Sequence, residues 1–156
     1  MGFQSQVFTS VAPGVAGDPA TPDQMIYQAV NFTAEEDCTV GNFVFEGTEP
    51  EWQAKPGGDK LLGLVQRNIS YPNYMITSEG TLTVPAGSTL TIAVRGDFWV
   101  KTATAATVGQ AVFADTTTGA ISTGDAGGTV SGAVETTWRV KTAGDADGMI
   151  IISAWV

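Results

Sequence analysis

Six carboxylates crowd two short stretches, Glu35, Glu36 and Asp37 in TAEED and Glu46, Glu49 and Glu51 in EGTEPEW. Two carboxylates held a fixed distance apart are all that glycoside hydrolysis requires, one as general acid and the other as nucleophile or base. Trp52, Tyr71 and Tyr74 would then supply stacking surface for sugar rings. Both acidic stretches lie beside Gly and Pro, however, so solvated turn charge is the simpler reading. Isolated aromatics in β proteins more often belong to a core or an interface.

Other chemistry is thinner. The chain has no histidine, which removes Ser-His-Asp and Cys-His nucleophile activation and the usual His/Cys zinc sites. The single cysteine, Cys38, forms no intrachain disulfide and is read as a small buried hydrophobe. AGDADG (143–148) faintly resembles a calcium loop, but it lacks the third acidic position and the distant bidentate Glu, so an Asp/Gly turn is expected. The tripeptide Arg95-Gly96-Asp97 matches an integrin-type adhesion motif, yet it sits between two strand-forming runs, where Gly96 is expected to make a bend or bulge. Two glycosylation sequons, at Asn31 and Asn68, are expected to carry little meaning, because MGFQSQVFTS does not read as a secretory signal. No metal or cofactor is expected.

The elements that would position these residues are short runs of β-branched and aromatic residues between Gly, Pro, Asp and Ser clusters, with no sustained 3.6-residue period. The chain of 156 residues suits one domain, since domains cluster at about 100–150 residues. We expect an all-β fold, an antiparallel β-sandwich or jelly-roll-like barrel over residues 25–156, preceded by an extended N-terminal arm over 1–24. Two alternating runs flanking PAGS in 81–102 predict a hairpin, and AVFAD and GAISTG flanking TTTG predict a second. TTWRVKT (136–142) places Trp138 and Val140 on a buried face and Arg139 and Lys141 on a wet one. GMIIISAWV is apolar on both faces, which predicts a central strand or one covered by a second subunit.

The arm contains VAPGVAGDPATPD (11–23), with three prolines and no hydrophobic period, a composition that neither coils into a helix nor completes a sheet. Charge also bounds the partners. Sixteen acidic residues against seven basic ones give a net charge of −9, a field that repels phosphate backbones and anionic lipid. Neither nucleic acid nor membrane is an expected partner. With charged residues at only 15%, below the roughly 25% of soluble proteins, part of the surface is expected to meet protein. The seven cations form no cluster along the sequence.

In order, FQSQVFTSVAPGVAGDPATPD, TVGNFVFEG, LGLVQRN, VPAGSTLTIAVRGDFWVKT, VGQAVFADTTTGAI, ETTWRV and GMIIISAWV resemble the blocks of the tailed-phage structural cement family, the capsid decoration proteins. The family favours an aromatic where this chain has Pro19, and often a His where it has Gln66. The resemblance implies a non-enzymatic protein that is made in the bacterial host cytoplasm. It would bind the outer surface of the major capsid protein shell and reinforce it after expansion, as a homodimer or homotrimer. The arm then has a role: Phe3, Val7, Phe8, Val11, Pro13, Val15, Asp18 and Pro19 would contact the capsid or a neighbouring subunit, with 3–9 adding as a strand to an exposed edge. Met149, Ile151 and Trp155 on the terminal strand would form an oligomer interface. A carbohydrate-binding β-sandwich of a phage tail or surface is the alternative, resting on Trp52, Tyr71 and Tyr74.

Overall fold

The computed structural model describes residues 14–21, 25–68 and 83–154. Among these there are fourteen strands and no helix. In chain order they are β1 (Ile26–Tyr27), β2 (Phe32–Ala34), β3 (Cys38–Thr39), β4 (Phe43–Glu46), β5 (Gln53–Lys55), β6 (Leu61–Val65), β7 (Thr83–Val84), β8 (Thr89–Leu90), β9 (Ile92–Arg95), β10 (Asp97–Lys101), β11 (Ala111–Asp115), β12 (Ile121–Gly124), β13 (Ala133–Val140) and β14 (Met149–Ser153).

Three sheets stack around two cores. A seven-stranded sheet runs β1-β9-β6-β4-β5-β2-β8, a five-stranded sheet β10-β14-β13-β11-β12, and a small third sheet pairs β3 with β7. Every strand pair is antiparallel except β2 with β5. The larger core lies between the first two sheets, where Phe43, Phe45 and Leu64 meet Phe98, Val100, Trp138, Val140, Ile150 and Ile152. Trp138 is its hub, with edge-on ring contacts to Phe43 at 6.1 Å and Phe98 at 6.0 Å. Val44, Val65 and Ile92 project from the opposite face of the seven-stranded sheet and pack with Cys38 and Val84 of the small sheet. Burial on both faces explains why FVF and LLGLV read as continuous apolar runs rather than alternating ones.

Several sequence expectations hold. β11 and β12 form the TTTG hairpin, and the Asp115 carboxylate accepts hydrogen bonds from the Thr117 and Thr118 amides to close its turn. Those amides hold the Asp115 carboxyl below the usual range. Trp138 and Val140 are buried while Arg139 is half-buried and Lys141 exposed. β14 lies inside the five-stranded sheet between β10 and β13, with Ile150 and Ile152 fully buried on the core face. Gly96, at φ 131°, is the bend where the chain leaves one large sheet at β9 and enters the other at β10. AGDADG makes a turn, with the Gly148 amide donating to the Asp145 carbonyl.

The hairpin expected over 81–102 does not form. The PAGS turn is present, with Gly87 at φ 84° and the Ser88 amide donating to the Pro85 carbonyl at 3.2 Å. Its two arms separate, however: β7 pairs with β3 and β8 with β2, in different sheets. The turn itself is captured from outside, since Gly87 donates to the Ala34 carbonyl and Ala86 to the Asp37 carboxylate. Residues 81 and 82 lie outside the described residues.

Candidate contact surface

The described part of the arm, residues 14–21, lies along the edge of β10 instead of standing clear of the sheets. The Gly17 amide donates to the Trp99 carbonyl at 2.8 Å, the Trp99 amide to the Asp18 carbonyl at 2.9 Å, and the Ala20 amide to the Asp97 carbonyl at 2.8 Å. Pro19 faces Phe98 across this ladder. The ring lacks a donor, which suits an outermost position in a sheet. On its other side the strap meets the seven-stranded sheet. The Arg67 amide, just past β6, donates to the Gly17 carbonyl at 2.9 Å, and the Arg67 guanidinium pairs with Asp18 at 3.2 Å. Two glycines at positive φ permit this approach: a Cβ on Gly17 would come within 2.5 Å of Val40, and one on Gly41 within 2.7 Å of Ala16. The expectation that 11–23 could not join a sheet is therefore corrected for 14–21, because a free edge accepts a short proline-containing segment that forms no ladder of its own.

At its start the strap covers Trp99: a Cβ on Gly14 would collide with that indole. Trp99 points away from the core, opposite Ile151 on β14, and Lys101 stands opposite Met149. This outer face of the five-stranded sheet thus carries a half-buried apolar stripe of Trp99, Ile151 and Met149. Three of the seven cations, scattered in sequence, meet on it: Lys101, Arg139 and Lys141. Arg139 pairs with Glu135 at 3.3 Å, and Lys101 approaches Asp147 at 4.0 Å. Beside them a recess of about 400 Å³ is lined by Val108, Gly109, Arg139, Val140, Lys141 and Ser153, with Val108 67% exposed.

Asp97 is the one acidic side chain buried on this face. Burial alone would push its pKa up, but the Lys141 ammonium and the nearby Ser153 and Thr21 hydroxyls outweigh that and hold it below the usual range. Its Oδ2 takes the Lys141 ammonium, while Oδ1 closes no hydrogen bond among the described residues. With its Asp side chain enclosed, the Arg95-Gly96-Asp97 tripeptide does not present an adhesion motif.

The remaining candidates fall elsewhere. Val15 is 49% exposed on the strap, whereas Asp18 and Pro19 engage their own chain as described. Phe3, Val7, Phe8, Val11, Pro13 and Trp155, with Tyr71 and Tyr74, lie outside the described residues. In the acidic clusters, the Glu35 and Asp37 carboxylates accept backbone amides, while Glu36, Glu49 and Glu51 are exposed. Glu35 accepts from the Thr48 hydroxyl and amide, which lower its pKa, and Glu46 pairs with Lys60 at 3.4 Å. Cys38 is fully buried; desolvation first, and then the charges of Glu36 and Asp37, push its thiol up to about 12, so it is no nucleophile. Trp99, Arg67 and Gly41 were not singled out from the sequence. Strict alternation with the inward Phe98 and Val100 was the available signal for Trp99, whereas nothing local marks Arg67 or Gly41 as partners of residues near position 17.

The sequence matches the model of the structural cement protein family (E217 gp24/Pam3 gp6) over residues 3–154. The chain belongs to that family. A solved chain from the capsid of Myoviridae phage XM1 shares the fold of this cement protein, with a TM-score of 0.66 at 13% identity, covering 99% of this chain and 98% of that one. No curated protein matches the sequence. In this cement protein Pro19, where the family resemblance led us to expect an aromatic, forms the bridge to Phe98. Gln66, where the resemblance led us to expect a His in many members, donates its backbone amide to the Thr91 carbonyl at 2.9 Å.

Proposed function

We propose that this protein decorates a bacteriophage head: it binds the outer surface of the major capsid protein shell and stabilises the expanded state, without enzymatic activity. Membership of the structural cement family across nearly the whole chain carries this reading. Its surface chemistry supports it, since Glu35 and Asp115 are engaged in turns and Cys38 is sealed in the core. The protein would be made in the host cytoplasm and reside on the outside of the virion.

Two surfaces would make the contacts. Residues 1–13, with Phe3, Val7, Phe8, Val11 and Pro13, followed by the exposed Val15, would lie along capsid protein or a neighbouring subunit. Met149 and Ile151, continued by Trp155, would build a homodimer or homotrimer. Many copies held at several points compensate for modest affinity at each.

The test is cosedimentation of purified protein with expanded, undecorated capsids. Saturable binding at fixed stoichiometry is expected. Removing residues 1–13 should weaken it while leaving the fold intact, and this is a cleaner truncation than removing 1–24 because 14–21 bonds to both large sheets. Failure of the full chain to bind overturns the proposal.

A further inference from the structure

We propose that residues 14–21 are a clamp that fixes where the arm leaves the domain, with Gly17, Asp18, Gly41 and Arg67 as its positioning residues. The inference rests on the reading of residues 1–13 as a shell contact and adds what aims them.

An arm joined to its domain by an unattached proline-rich linker would sweep a large volume, and each contact it made would carry the full entropic cost of ordering that linker. Here the linker is already ordered. Gly17 is bonded toward both large sheets, its amide to Trp99 of the five-stranded sheet and its carbonyl to Arg67 just beyond β6. The close approach of Gly17 and Gly41 leaves no room for a side chain at either position, and both have the positive φ that favours glycine, 87° and 83°. The Asp18–Arg67 pair locks the same point from the side-chain level, and Asp18 also accepts the Val15 amide at 3.3 Å, turning the strap toward Gly14. Gly14 then lies on the Trp99 indole. The strap therefore begins, at Gly14, on the outer face of the five-stranded sheet, on the Trp99 indole that heads the Trp99–Ile151–Met149 stripe.

Four proteins test this: the full chain, the chain lacking 1–13, and the full chain carrying Gly17→Val or Asp18→Asn. Each is measured by amide hydrogen exchange and by cosedimentation with expanded capsids. Gly17→Val should raise exchange at the Trp99 and Ala20 amides about tenfold or more, while the amides of β4 and β13 stay protected. It should also lower capsid affinity about tenfold although every residue of 1–13 is present, because the arm must then be ordered on binding. Asp18→Asn, which preserves shape, should move both readouts in the same direction by a smaller factor and guards against misfolding of the valine variant. Unchanged exchange at Trp99 in Gly17→Val, or wild-type affinity with the strap released, overturns the clamp. Wild-type binding by the chain lacking 1–13 instead overturns the arm contact on which it rests.

Discussion

The two faces of the five-stranded sheet are built from alternate residues of the same strands and have opposite characters. Toward the seven-stranded sheet stand Phe98, Val100, Trp138, Val140, Ile150 and Ile152, all at or near zero exposure. Away from it stand Asp97, Trp99 and Lys101, Arg139 and Lys141, and Met149, Ile151 and Ser153, of which only Asp97 is buried. The inner face is interchangeable with any well-filled core. The outer one mixes an apolar stripe, cations and the strap. A strand one residue out of register would exchange the two sets, so the core face and the outer face are specified by one alternation.

Substitutions that separate the faces test this contrast. Trp138→Ala should have the largest effect, about 3–5 kcal/mol by denaturant unfolding, because it removes the hub of both ring contacts and leaves a cavity. Asp97→Asn comes next. Hydrogen bonds to charged groups contribute about 1.5–3 kcal/mol, and the lower part of that range applies because Lys141 is half exposed. Since the Asp97 pKa is depressed in the folded protein, its contribution is fully present above the unfolded value of about 3.9 and is lost as pH falls through the folded value. The wild type should lose stability in that acid limb, and the Asn variant should lose less over the same interval.

Asp18→Asn should cost only about 0.2–1 kcal/mol, as expected for a pair more than a quarter exposed on both sides. Ile151→Lys should change stability least, within about 0.5 kcal/mol. The contrast predicts that this same change nonetheless abolishes the proposed homo-oligomer in light scattering, whereas Trp138→Ala at a temperature where it stays folded leaves it intact. An oligomer that survives Ile151→Lys would sink the assignment of this face.

Much of the architecture was legible because its signals are local. The Asp115 turn, the alternation of 136–142 and the bend at Gly96 each need only a few consecutive residues to produce them. The PAGS segment shows the limit of such signals. Its turn chemistry is satisfied as well as that of TTTG, but Val84 and Leu90 bury in one core from two different sheets, and pairing follows the core rather than the turn. The outer face of the five-stranded sheet was less legible still. That Ile151 and Met149 lie off the core face follows from strand alternation, but the strap, its glycine fit to residue 41 and its ion pair to residue 67 could not be read from the sequence.

By itself the sequence determined an all-β chain without histidine chemistry, an acidic field and the alternation of its strands, together with blocks whose order places it among the cement proteins. These are properties of composition and near neighbours along the chain. Only the tertiary structure decided that Lys101, Arg139 and Lys141 share a face, that Asp97 is enclosed, and that a proline-rich segment is held between two sheets. Each of those depends on partners dozens of residues apart, and the free energy that selects them comes from burial and hydrogen bonding across sheets rather than from any local preference.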